Sequence, residues 1–395
     1  MKKKTFSLYG FIETRFADPL SSIGISEKYI IIGTLMGKIY SFSIYDKGTC
    51  LINELSTEYI SGIMFDNTEN YFYASVGDEE ILKFETDSSN LISRTKNYNS
   101  DSLHNKYCEN MYSLISKYNL LLFSLAPQEE GNVKINNFDS NCYIINFEDD
   151  EKINFTIQIT NYSVPLDYNG QYILYIEFLS DKERNLCIKN VLDNNDTILK
   201  KKIDQNFGHI SHCKIISDCN IFLVRNLNKC EIRRINKDFT LIQNFKNIGS
   251  EVIAIDIFYK NNNNQNNKDE RNNYYKNNVL KIKNNTNTTG KVLNKNSENE
   301  IIKANSFNND IILSNSNLDD KKFNGTIAIL DIDGNINFFE NNIISKKFNL
   351  YDIKEINIEQ KKKMFFSMGY AYYIKCNNNL ICISTDHGCY IIKSN

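Results

Sequence analysis

Histidine and cysteine gather at one place in this chain, His209-Ile210-Ser211-His212-Cys213, with Cys219 a little beyond. These are metal-ligand types. Zinc sites, however, pair their ligands at CxxC or HxxxH spacing and draw a second pair from elsewhere. On a strand His209, Ser211 and Cys213 face one way and His212 the other, so the set does not converge. Asp386-His387 would serve a charge relay only with a nucleophile placed beside it by the fold, and no residue pattern supplies one. The other histidine is His104, for four in all, and no glycine-rich phosphate loop occurs among 16 glycines. The acidic runs Glu148-Asp149-Asp150-Glu151 and Asp78-Glu79-Glu80 and the basic runs Lys200-Lys201-Lys202 and Lys361-Lys362-Lys363 read as solvated faces. The expectation is therefore no catalytic residue, no cofactor, no metal and no enzyme activity.

The ten cysteines show no CxxC and no disulfide framework, and Cys187, Cys219, Cys376, Cys382 and Cys389 sit in or beside apolar runs, as small hydrophobes do. Lys+Arg is 46 against Asp+Glu 48, a net charge of −2, which offers no field for nucleic acid or an anionic membrane. Tryptophan is absent, proline numbers 3 and asparagine 60, a skew that reads as AT-rich coding. Lys2-Lys3-Lys4 is followed by an apolar run that Glu13 and Arg15 interrupt, so no secretory leader is expected there. No stretch approaches the roughly 18–20 apolar residues of a membrane helix. A soluble, cytoplasmic protein is expected, with the nucleus as the other compartment.

The elements that must position any site are short apolar runs at close intervals, bounded by Asn, Asp, Gly or Lys: Tyr29-Ile30-Ile31-Ile32, Leu120-Leu121-Leu122-Phe123 and Ile221-Phe222-Leu223-Val224 are examples. Helical spacing competes with strand only at 108–118 and in the linker 352–364. The runs group into units of four. The first spans 21–55, the second 59–96, the third 107–159, the fourth 164–204 and the fifth 208–246. The sixth starts at 252–259 and resumes at 326, and the seventh ends at Asn395 without a fourth strand. A spare strand, 5–12, precedes the first unit and is expected to pair with 389–393. Residues 261–323 hold Asn, Lys, Asp and Glu in place of the apolar rhythm and read as a disordered insertion, with the island Asp310-Ile311-Ile312-Leu313 as a candidate strand. The division is 1–260 (units one to five, the start of unit six, and the closing strand), 261–323, and 324–395. Together these predict an all-β, seven-bladed β-propeller closed by the N-terminal strand.

A turn glycine followed five residues later by an aromatic recurs as Gly37 to Phe42 and Gly334 to Phe339. In the second unit Asp78-Glu79 stands at the turn before Phe84, and the fifth opens on Gly208-His209. In this the chain resembles the WD40 repeat family, over all but the insertion. It differs in having no Trp-Asp pair, and in carrying Arg234 at the aromatic position of the fifth unit. The resemblance implies a non-catalytic scaffold or adaptor within a multiprotein complex. On that reading other proteins are the partners, contacts are expected at Tyr59, Asp78, Glu79, Tyr107 and His209, and membrane and nucleic acid are not partners. Two alternatives follow from other features: a propeller enzyme with its site in a central funnel, and an RNA-associated factor using the Asn/Lys-rich insertion, where ten Lys and Arg face seven Asp and Glu.

Overall fold

The structure is a computed structural model that describes residues 6–394 except 16, 55–57, 67, 78–79, 97–107, 116–119, 128–139, 147–152, 160–161, 169–171, 181–182, 191–196, 218–219, 246–247, 249, 260–324, 341–342, 364–365, 367–371 and 378. The first sheet is β2–β5 (Leu20–Ile25, Tyr29–Thr34, Lys38–Ser43, Thr49–Glu54) and the second β6–β9 (Ile60–Phe65, Tyr71–Val76, Glu80–Glu85, Leu91–Lys96). The third, described by its backbone alone, is β10–β13 (Cys108–Ile115, Leu120–Pro127, Ser140–Asn146, Ile153–Ile159). The fourth is β14–β17 (Tyr162–Tyr168, Tyr172–Phe178, Arg184–Asn190, Thr197–Ile203) and the fifth β18–β21 (Ile210–Ser217, Asn220–Arg225, Lys229–Arg234, Leu241–Phe245). The sixth is β22–β25 (Val252–Tyr259, Gly325–Asp331, Asn335–Glu340, Ile343–Asn349). The seventh orders β1 (Phe6–Glu13), β28 (Gly388–Ser394), β27 (Leu380–Thr385) and β26 (Ile374–Cys376).

Here the expectation of a seven-bladed β-propeller is corrected. The ladders form seven separate four-stranded antiparallel sheets; none runs from one sheet to the next and no sheet closes on itself. The architecture is an all-β repeat of such sheets. The expected pairing of the first strand with the last is present: Phe6 faces Ser394 and Glu13 faces Gly388. Gly388 makes that approach possible, because a Cβ there would lie 2.1 Å from the Ile12 carbonyl oxygen.

The sheets are held by apolar faces that meet between them. Ile31 and Ile39 of the first sheet pack with Ile60, Phe72 and Leu82 of the second. Cys382 and Ile391 of the seventh sheet pack with Ile30 and Phe42 of the first. Where burial is described, second and third strands are the most completely buried, as in Ile30-Ile31-Ile32 and Ile221-Phe222-Leu223-Val224, while fourth strands such as β5 and β25 are largely exposed. That gradient is why the apolar runs marked the strands so closely. The WD40-like aromatics Phe42, Phe84 and Phe339 all lie buried on third strands; Phe84 stacks on Phe72 with ring centroids 4.8 Å apart. In the fifth sheet the turn glycine is replaced by Asn226 and Leu227, both at positive φ.

The ambiguous stretch 108–118 contains a strand, β10, rather than a helix. In the linker 352–364 a single 3-10 turn (Leu350–Asp352) leads to a short helix, α1 (Ile358–Lys363). In the seventh unit the first strand is β26, and residues 367–371 lie outside the described residues. Phe366 and Tyr372 enter the core as a perpendicular pair 4.9 Å apart. The insertion 261–323 and its island lie outside the described residues.

Candidate functional site

Antiparallel order puts the turn between second and third strands at the same end of a sheet as the connection from its predecessor. At that rim a backbone hydrogen bond recurs. The amide of Leu35 donates to Pro19, Gly77 to Tyr59, Asn226 to His209 and Ile332 to Glu251, at 2.7–3.0 Å. Tyr59 and His209, singled out from the sequence, therefore occupy equivalent places. Tyr59 is half-buried and His209 is exposed, with its own amide donating to the Asn226 side chain at 3.0 Å. Asp78, Glu79 and Tyr107 lie outside the described residues.

Turn chemistry stiffens this rim. Buried Asp18 accepts from the Met36 amide at 2.8 Å, and buried Asp331 accepts from the Asp333 and Asn335 amides at 3.1 and 2.8 Å. Burial raises the Asp331 carboxyl, while hydrogen bonds from Asn335 work against that rise. In the fifth sheet Arg225 and Arg233 both bond the buried Glu231, and Arg225 also donates to the Phe207 carbonyl beside His209. Burial pushes the Glu231 carboxyl up, but the two guanidinium groups outweigh it and hold it below the usual carboxylate range. On this fixed frame Leu35, Met36 and Leu227 are exposed, Met36 at 52%. Sequence reasoning missed them because an apolar residue in a turn has no periodicity to reveal it.

A second constellation lies along the first strands. One Asp167 oxygen accepts from the Ile215 amide at 2.7 Å and the other from Lys214 Nζ at 3.3 Å. Asp256 repeats the arrangement one pair of sheets on, with the Cys376 amide at 2.8 Å and Lys375 Nζ at 3.1 Å. Between them His212 Nε2 lies 3.2 Å from the Ile253 carbonyl, an acceptor only, so Nε2 is the donor. Asp167, Lys214, Asp256 and Lys375 thus lie on four successive first strands with charge alternating in sign. Asp256 raises the Lys375 pKa most, against desolvation, and Asp167 adds to the rise. Burial lowers His212, and the Ile253 carbonyl opposes this in part. Each lysine is paired with a carboxylate, Lys214 with Asp167 and Lys375 with Asp256, so these charges suit sheet-to-sheet bridging rather than nucleophilic chemistry.

The His209–Cys213 run does not converge. His209 precedes β18, Ser211 is bulged out of the ladder, His212 bridges to the sixth sheet, Cys213 is buried and Cys219 lies outside the described residues. Among the described residues no three His, Cys, Asp or Glu side chains form a metal-ligating group. Asp386 accepts from the Tyr372 hydroxyl and the His387 carbonyl accepts from the Thr14 amide, so this pair fastens a turn. No described helix is long and apolar enough to cross a membrane.

No family model and no curated protein matches the chain. Among solved structures, the crystal structure of the computationally designed protein Ika8 is similar across 98% of this chain and 99% of its own, with a TM-score of 0.50 and 8% sequence identity. At that identity the likeness bears on the arrangement of elements alone.

Proposed function

We propose that this chain is a non-catalytic protein-interaction scaffold or adaptor subunit, acting in the cytoplasm, whose partners dock on the rim carrying Leu35, Met36, Tyr59, His209 and Leu227. The observation that carries the reading is the exposure of large apolar side chains on turns whose backbones are hydrogen-bonded into a fixed frame. A preorganised apolar surface loses little ordering entropy on binding. The WD40-like spacing of Gly37 to Phe42 and Gly334 to Phe339 supports it by resemblance.

The test is affinity purification with mass spectrometry of the wild-type chain beside Met36→Glu and Leu227→Glu. Both positions are exposed, so melting should move by no more than about 0.5 kcal/mol equivalent. Specific co-purifying proteins should be lost from the variants. Retention of every partner by both variants, or a wild-type chain that recovers none, would overturn the proposal.

A further inference from the structure

Apolar exposure is unevenly distributed. Leu51, Leu91, Ile92, Leu241, Ile242, Ile343 and Ile344 all lie on fourth strands and make up seven of the twelve large hydrophobics exposed among the described residues. These strands end their sheets, so one edge of each has no ladder partner among the described residues. Charge is uneven as well. The fourth strands β5, β9, β13, β17, β21 and β25 carry seven Lys and Arg against Glu54 alone, although the whole chain is nearly balanced.

The sixth sheet shows the pattern most sharply. In β25 Ile343 is 71% exposed and Ile344 40%. Ser345 is bulged out, after which Lys346 faces Phe338 and Lys347 faces Asn337 in regular register. The bulge sets Ile344 and Lys347 on one face of the sheet and Ile343 and Lys346 on the other. One face thus offers Ile344 and then exposed Lys347 beside an open edge, and the other offers Ile343. A second copy fits poorly, because antiparallel pairing centred on this strand sets Lys346 against itself. Exposed Lys347 complements a carboxylate.

We propose that β25 takes an acidic extended segment of a partner protein by strand addition, with apolar side chains against Ile343 and Ile344 and a carboxylate against Lys347. Backbone hydrogen bonds supply the docking and the side chains select the sequence. The surface is separate from the turn rim and does not rest on it.

The probe is a short capped peptide with two adjacent glutamates followed, one residue on, by two adjacent valines, which is the antiparallel complement of β25. Binding is read by fluorescence anisotropy against the full chain, with melting curves for each variant. The peptide should bind. Lys347→Glu should weaken it at least about tenfold, and a lysine-for-glutamate peptide should recover binding to that variant. A peptide N-methylated at alternate amides should not bind. Absence of binding at about millimolar peptide, indifference to the charge exchange, or undiminished binding of the N-methylated peptide would each overturn the proposal.

Discussion

The first and second sheets meet differently from the fourth and fifth, or the sixth and seventh. At the first junction side chains are removed. A Cβ on Gly33 would stand 2.4 Å from Ile60 Cγ2, so the isoleucine packs directly on backbone, helped by one hydrogen bond from Ser21 Oγ to the Ile60 carbonyl at 2.6 Å. At the other two a carboxylate spans the gap and takes one backbone amide and one lysine. Close packing needs no partner of given charge but tolerates no added atom. The charged bridge tolerates volume but fails if either member is lost. One repeat thus uses two unlike solutions to the same geometric task.

Gly33→Val should separate the two most strongly. Its added atoms have nowhere to go, and unfolding free energy should drop by about 3 kcal/mol in urea titration. A loss under about 1 kcal/mol would mean the first junction yields. Asp256→Ala should cost about 2 kcal/mol by stranding the Cys376 amide and Lys375, and Asp167→Ala about 1 kcal/mol, since Asp167 has more access to water. The paired change Asp256→Leu with Lys375→Met should recover most of the loss. If it is as unstable as the single variant, the charge itself is required. Acid should reveal charges within one sheet. Glu231 has a lowered folded pKa, so its contribution is full above the ordinary carboxylate range and is lost as pH falls through its folded value. Stability measured from pH 5 to 2 should decline below about pH 4, and Glu231→Gln should flatten that decline. Ser21→Ala should be the smallest change, about 0.5 kcal/mol, confined to the first junction.

Much of the strand pattern was legible because burial follows chain order within each unit. The runs Tyr29-Ile30-Ile31-Ile32, Leu120-Leu121-Leu122-Phe123 and Ile221-Phe222-Leu223-Val224 each fall within a strand, β3, β11 and β19. What the runs did not carry was how sheets meet. Asp167 and Ile215, or Asp256 and Cys376, are far apart in sequence, and nothing local to Asp256 distinguishes it from a surface aspartate. The seven-bladed propeller was the expectation overturned: repeat and strand count came from local pattern, whereas closure is a property of the whole assembly. At the rim Tyr59 and His209 were found by position in the unit, while Leu35, Met36 and Leu227 were not, because exposure cannot be read from residue type.

The pairing of β1 with β28 sets an order of events during synthesis. Phe6–Glu13 is made before the other described strands, and its partner Gly388–Ser394 after them. Through all that time Ile12, later fully buried, must stay in water or in the keeping of a chaperone. Domains assemble as the chain emerges at about 5–20 residues per second, so that exposure lasts on the order of tens of seconds. A chain halted before residue 388 keeps six sheets and leaves an apolar strand unpaired at its front, the kind of edge that invites aggregation and proteolysis. The β1–β28 ladder therefore acts as a proofreading step: only a chain translated through Ser394 can hide Phe6–Glu13 in it.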